Sequence, residues 1–254
     1  MSDQSPILDF DPDPLGVLDP SARFKAGTLP ERLVLTFFDS AFEAVATREE
    51  AAILHTTQTF GIAKPIYAVS RGTQDLALFQ CGVGAAVAGG QLEELIALGA
   101  RKILVCGGAG VLDRSISQGH LLLPTSAVRE DGLSYHYLPA AAEVVPDPGA
   151  VAALEKALVD RKAPFMKGKT WTTDGLYRET RGKIARRRAQ GCLSVEMEAA
   201  GLFAVAKFRR AQIAQLLYGG DDVSGPTWDH RGWQENFSVQ EMMLEICLEA
   251  VARL

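Results

Sequence analysis

The stretch from Leu76 to Cys106 constrains the fold more tightly than any other part of the chain. Leu76–Cys81 is a short apolar run of strand character, Gly82-Val-Gly84 is a turn, and Ala85–Leu98 is a helix of small and apolar residues. Gly99 stops that helix, and Ile103-Leu-Val-Cys106 reads as a fully buried strand. Strand, glycine turn, helix, glycine stop and buried strand make a βαβ unit. A strand apolar throughout belongs inside a sheet covered by helices on both faces. The implied fold class is α/β with a central parallel sheet.

The remaining pattern extends this layout. Strands are expected at Leu33–Phe38, Pro65–Ser70, Leu121–Leu123, Lys169–Thr173, Leu193–Val195 and Ile213–Tyr218. Helices are expected from Asp39 or Ser40 to about Phe60, and over Gly149–Arg161, Arg178–Gln190, Glu198–Phe208 and Val239–Leu254, the last with Ser238 as N-cap. Residues 1–30, with repeated Asp-Pro pairs, read as an irregular arm, and 31–254 as one α/β domain.

Composition narrows the function classes. A hydrophobic share of 47% with 22% charged residues suits a soluble protein with a sizeable core, and a net charge of −5 argues against a nucleic-acid partner. No apolar run approaches the roughly 20 residues of a membrane span, and Met1–Pro14 lacks the basic start and apolar core of a secretory signal. A cytoplasmic location is the expectation. Cys81, Cys106, Cys192 and Cys247 are far apart in the chain, as are the four histidines, so no disulfide framework and no metal site is expected.

Two acids interrupt an otherwise apolar run at Leu193-Ser-Val-Glu196-Met-Glu198-Ala-Ala-Gly-Leu-Phe-Ala-Val-Ala206. An unpaired buried carboxylate costs several kcal/mol or takes up a proton. Two readings stand side by side. Ser194 or Glu196 caps a core helix, or the two acids line a cavity for a hydroxylated ligand.

Glycine clusters at Gly82–Gly84, Gly107–Gly110 and Gly219–Gly220 sit where strands should end, the position at which open α/β sheets gather ligands. They are not a dinucleotide fingerprint, because Val87 stands at the third glycine position and Arg101 where the ribose-binding acid belongs. Gly168-Lys-Thr170 is not a P-loop, because Ala163-Pro164 stand at its opening and a strand-like Trp171-Thr-Thr follows.

In order, Cys81-Gly-Val-Gly84, Leu92–Ala100, Val105-Cys-Gly-Gly-Ala-Gly110, Gln118–Pro124, Asp131-Gly-Leu-Ser134, Trp171–Thr180, Val195-Glu-Met-Glu-Ala-Ala200 and Gly220-Asp221 resemble the nucleoside phosphorylase family of purine nucleoside phosphorylase, uridine phosphorylase and methylthioadenosine nucleosidase. The resemblance implies a single domain with a mixed central sheet flanked by helices, assembled as homo-oligomers (dimers or hexamers). It also implies metal-free cleavage of the nucleoside N-glycosidic bond in purine or pyrimidine salvage, with inorganic phosphate as co-substrate and no cofactor.

Carried over, Glu198 is the acid for the ribose 2′- and 3′-hydroxyls, Met197 packs under the sugar, and Glu196 stands beside them. Leu176 and Tyr177 lie against the base, and Asp221 serves purine N7. The physics agrees. An ionised Glu198 lies where positive charge develops on the sugar, and an Asp221 whose pKa is raised by burial or by Asp222 can protonate the departing base.

The phosphate site departs from the family, with Val105 and Gly108 at the central positions and no Gly-Asp-Pro-x-Arg pattern in Phe10–Ala26. Phosphate then falls to backbone N–H groups at Gly82–Gly84 and Gly107–Gly110, with Gly82, Gly84, Gly107 and Gly108 foremost, or to an arginine, Arg71, Arg178 or Arg181. The departure leaves two alternatives to phosphorolysis: a phosphate-independent nucleosidase, and a non-catalytic nucleoside-binding relative.

Overall fold

The structure, a computed structural model, describes residues 5–58, 61 and 63–254. The strands are β1 (Arg32–Thr36), β2 (Ile53–Thr57), β3 (Lys64–Arg71), β4 (Gln74–Gln80), β5 (Lys102–Val111), β6 (Leu121–Glu130), β7 (Glu143–Val144), β8 (Phe165–Thr173), β9 (Cys192–Glu196) and β10 (Gln212–Asp222). The helices are α1 (Asp39–Arg48), α2 (Ala85–Leu98), α3 (Ser134–Tyr137), α4 (Pro148–Asp160), α5 (Arg181–Ala189), α6 (Ala199–Phe208) and α7 (Phe237–Val251).

The βαβ unit forms as β4–α2–β5, with β1 between its two strands and parallel to both. β10 continues this parallel layer on the other edge of β5. The sheet as a whole is mixed. β2, β3 and β4 pair antiparallel, β10 meets β6 antiparallel, and β6, β8 and β9 run parallel to one another. The end of β5 then pairs with β9 through Gly110–Val195, so β5, β10, β6, β8 and β9 close on themselves.

Period-two alternation assigns side chains to two faces. Val34, Leu104, Cys106, Ala214 and Leu216 pack with α1, α4 and α7, whereas Leu33, Leu35, Ile103, Val105 and Ile213 pack with α2 and α6. Asp147 caps α4 by accepting the Ala150 N–H at 2.9 Å, with Pro148 at the first helical position.

Four boundaries correct the expectations. The helix expected to reach about Phe60 ends at Arg48, where Glu50 turns to φ 48° and the Ala51 N–H closes onto Ala46. β-branched Ile53, Thr56 and Thr57 then form an edge strand on β3; Phe60 itself lies outside the described residues. The helix expected from Arg178 begins at Arg181, after a 3₁₀ turn over Leu176–Arg178, with the Thr180 hydroxyl accepting from the Lys183 N–H. Ser238 lies inside α7, whose cap position is Asn236. The strand expected at Leu121–Leu123 runs on to Glu130, carried by its parallel pairing with β8.

Candidate active site

The carboxyl ends of β1, β5, β9 and β10 converge on a cavity of about 370 Å³. Its wall includes Gly108–Gly110 from β5, Val195 and Glu196 from β9, Met197 and Glu198 from the turn into α6, and Asp221 from β10.

The two acids of the apolar run divide the roles. Glu196 Oε2 accepts the N–H groups of Glu198 (2.8 Å) and Ala199 (2.6 Å), and its Oε1 accepts the Thr172 hydroxyl at 2.6 Å. Thr172 in turn accepts the Ala200 N–H at 2.9 Å. Together they occupy the free donors at the start of α6, as a cap does. Ser194 does not cap; its hydroxyl donates to Thr170.

Glu198 makes no capping bond. Its Oε1 accepts the Gly84 N–H at 2.6 Å and its Oε2 the Met197 N–H at 3.3 Å. Gly84 has φ 97°, so only a residue without Cβ presents that N–H without strain. Burial raises both acids above the ordinary glutamate range, and Glu196 beside it raises Glu198 further.

Asp221 lines the cavity from β10. Its Oδ2 accepts the Trp228 indole N–H at 2.6 Å, and its Oδ1 lies 3.4 Å from the position a Cβ on Gly110 would take. Asp222 does not share the cavity. It is buried behind the strand, where burial alone would raise its pKa. Bonds from Ser224 and the charges of Arg231 and Arg114 outweigh that and hold it below the usual range. Glu179 also lines the cavity and is pushed up to about 7, by burial first and then by the charge of Asp221.

The cavity is acidic. Glu179, Glu196, Glu198 and Asp221 line it, and among the described residues lining it none is Lys or Arg. Met197 and Leu176 also line it, but Tyr177 is 94% exposed and stands outside.

Of the runs considered for phosphate, Val83, Gly108, Ala109 and Gly110 line the cavity, and a Cβ on Gly108 would lie 2.9 Å from the Trp233 ring; Arg71 is not among the lining residues and pairs with Glu49 and Glu245. Gly107 is buried beneath Phe37, the Gly82 N–H donates to Gln91, and the Gly84 N–H is taken by Glu198. Arg178 and Arg181 lie outside, Arg181 donating to the Pro226 carbonyl.

Sequence reasoning missed Phe37, Phe38, Glu179, Trp228, His230 and Trp233, all cavity-lining. The signal was the aromatic-rich run Trp228-Asp-His-Arg-Gly-Trp233 just past Asp221. Arg231 ties that run to the sheet by its ion pair with buried Asp222 at 2.9 Å, while Trp233 seats on Gly108 and Gly220. Among the described residues no group of His, Cys, Asp or Glu is placed to hold a metal, and no helix is long and apolar enough to cross a membrane.

Comparison with known proteins adds to this geometry. A guanosine phosphorylase from Halorubrum lacusprofundi is 31% identical over 133 residues, 52% of this chain and 55% of that protein, so the match spans little more than half of that relative. A uridine phosphorylase from Salmonella typhimurium is 27% identical over 190 residues, 68% of this chain and 73% of that protein. Among solved structures, purine nucleoside phosphorylase from Toxoplasma gondii in complex with immucillin-H shares the fold, with a TM-score of 0.77 at 22% identity over 89% of this chain and 92% of that one. The sequence profile of the phosphorylase superfamily matches residues 32–253, which carry the whole sheet and every residue lining the cavity. The chain belongs to the phosphorylase superfamily.

Proposed function

We propose that this protein transfers the pentosyl group of a nucleoside to inorganic phosphate, as purine and uridine phosphorylases do. The observation that carries the reading is Glu198, a buried carboxylate beside Met197 in an acidic cavity, held by two backbone N–H groups. Its remaining lone pairs suit two vicinal hydroxyls. Once ionised on binding them, it sits where positive charge grows on the sugar.

In the reaction the bond from C1′ to the base nitrogen breaks and its electron pair leaves with the base. A phosphate oxygen bonds C1′, giving a pentose 1-phosphate and a free base. Asp221 and Glu179 form the base end, where a protonated carboxylic acid can hand its proton to purine N7. Charge is handled by carboxylates throughout, so the step calls for no metal or organic cofactor.

The acidic wall favours a second reading at one point only. With no Lys or Arg among the lining residues, neutral water meets less repulsion than phosphate. Incubation with inosine, guanosine, adenosine and uridine, with and without phosphate, separates the two. Base release that requires phosphate is expected; release at equal rate without it makes the protein a nucleosidase. Absence of any cleavage, with a nucleoside still raising the melting temperature, leaves a binding protein.

A further inference from the structure

A second cavity, of about 550 Å³, adjoins the first and shares with it Leu176, Glu179, Asp221 and Trp228. Those four residues are the base end of the site. Met197 and Glu198, the sugar end, line only the inner cavity. The outer volume is within the range of small-molecule sites, about 300–1,000 Å³.

Its walls are largely apolar. Leu176 and Trp228 face it at 52% and 63% exposure, Tyr177 stands over it at 94%, and Ile184, Val223 and Pro226 add apolar surface, with Thr180, Arg181 and Thr227 on the remaining wall. Three large side chains this exposed around one concavity form a patch that gains by being covered. The inner cavity supplies the direction from which a covering group would come.

We propose that the outer cavity is a subsite for an apolar substituent carried on the 6-position of a purine nucleoside, of which an N6-aralkyl adenosine is the type. The proposal rests on the reading of the inner cavity as a nucleoside site. Asp221 stands at the junction of the two cavities. The 6-position is next to N7 on the same edge of a purine, so a base presenting N7 to Asp221 directs its 6-substituent past Asp221 and Trp228. It enters the volume beyond, where Leu176, Ile184 and Pro226 offer apolar contact and no buried donor is left unpaired by an alkyl or aryl group.

The test compares phosphorolysis of N6-benzyladenosine and adenosine, together with equilibrium binding of the free bases N6-benzyladenine and adenine. Expected are a kcat/KM at least about tenfold higher for the benzylated nucleoside and a matching tenfold tighter binding of the benzylated base. Thr227 lines only the outer cavity, so Thr227→Trp should fill it and collapse both ratios toward one. Equal or poorer handling of the benzylated compounds by the unaltered protein overturns the subsite, as does a ratio untouched by Thr227→Trp in a folded variant. If no nucleoside is cleaved, the function proposed above falls, yet the two free bases still decide whether the outer cavity takes an apolar group.

Discussion

The Oε2 oxygen of Glu196 accepts the backbone N–H of Glu198 at 2.8 Å, so one acid builds the helix start that places the other. Glu196 accepts two protein donors on each oxygen, whereas Glu198 accepts one on each and so keeps lone pairs for the cavity. A helix cap and an acid with lone pairs open to the cavity thus lie two residues apart.

Replacing Glu198 by Gln should lower pentosyl transfer by about 10²-fold or more, because two charge-assisted hydrogen bonds to the sugar are weakened together. Steady-state kinetics with a saturating nucleoside measures it, and circular dichroism should show an unchanged fold. Unaltered turnover would remove Glu198 from the site.

The same variant should change stability in a pH-dependent way. Burial, then Glu196, raises the folded-state pKa of Glu198 above its ordinary value of 4.5. The folded protein therefore binds the proton more tightly than the unfolded chain. The stabilisation this supplies is complete below pH 4.5 and is lost as pH rises through the raised value. Glu198→Gln should raise the melting temperature by a few degrees at pH 8 and by little near pH 5. A shift of equal size at both pH values contradicts the assignment.

Asp221→Asn should impair purine nucleosides more than uridine, since purines offer N7 to this wall and pyrimidines do not. Equal losses would argue against proton transfer there. Trp228→Phe, which removes the indole donor on Asp221 Oδ2, should alter the pH profile of purine cleavage while leaving uridine cleavage less affected.

Burial, and then Asp221, push Glu179 up to about 7. If its protonated form assists the base, purine cleavage should fall on the alkaline side of that value, and Glu179→Gln should flatten this limb. Initial rates between pH 5.5 and 9 provide the check, and an unaltered limb in the variant assigns it elsewhere.

Gly108→Ala should destabilise the protein by about 1–3 kcal/mol, as overpacking does. The added Cβ meets the Trp233 ring at 2.9 Å. Denaturant melts of Gly108→Ala, Trp233→Leu and the double variant form a cycle, in which a coupling of about 0.5 kcal/mol or more confirms the contact.

Much of the fold was legible because its signals are local. Gly82–Gly84, Ala85–Leu98, Gly99 and Ile103–Cys106 specify a βαβ unit within 31 residues, from Leu76 to Cys106. Where local signals were weak, the boundaries moved: Ile53–Thr57 became a strand because β3 offered an edge, and α7 starts at Phe237, which puts Ser238 inside it. At the site, Met197, Glu198 and Asp221 stood out as residues, but Glu179 and Trp233 did not. Each needs a distant partner, Asp221 for the first and the glycines 108 and 220 for the second.

By itself, the sequence determined the βαβ unit from Leu76 to Cys106 and the presence of two acids in an apolar run, both properties of neighbouring residues. It could not decide which acid caps the helix. Glu196 and Glu198 differ only in what other segments bring to them: Thr172 from β8 to the first, and Gly84, 114 positions away, to the second. That choice belongs to tertiary structure, because a buried carboxylate takes its role from the donors around it, and those donors come from strands that meet only in the folded sheet.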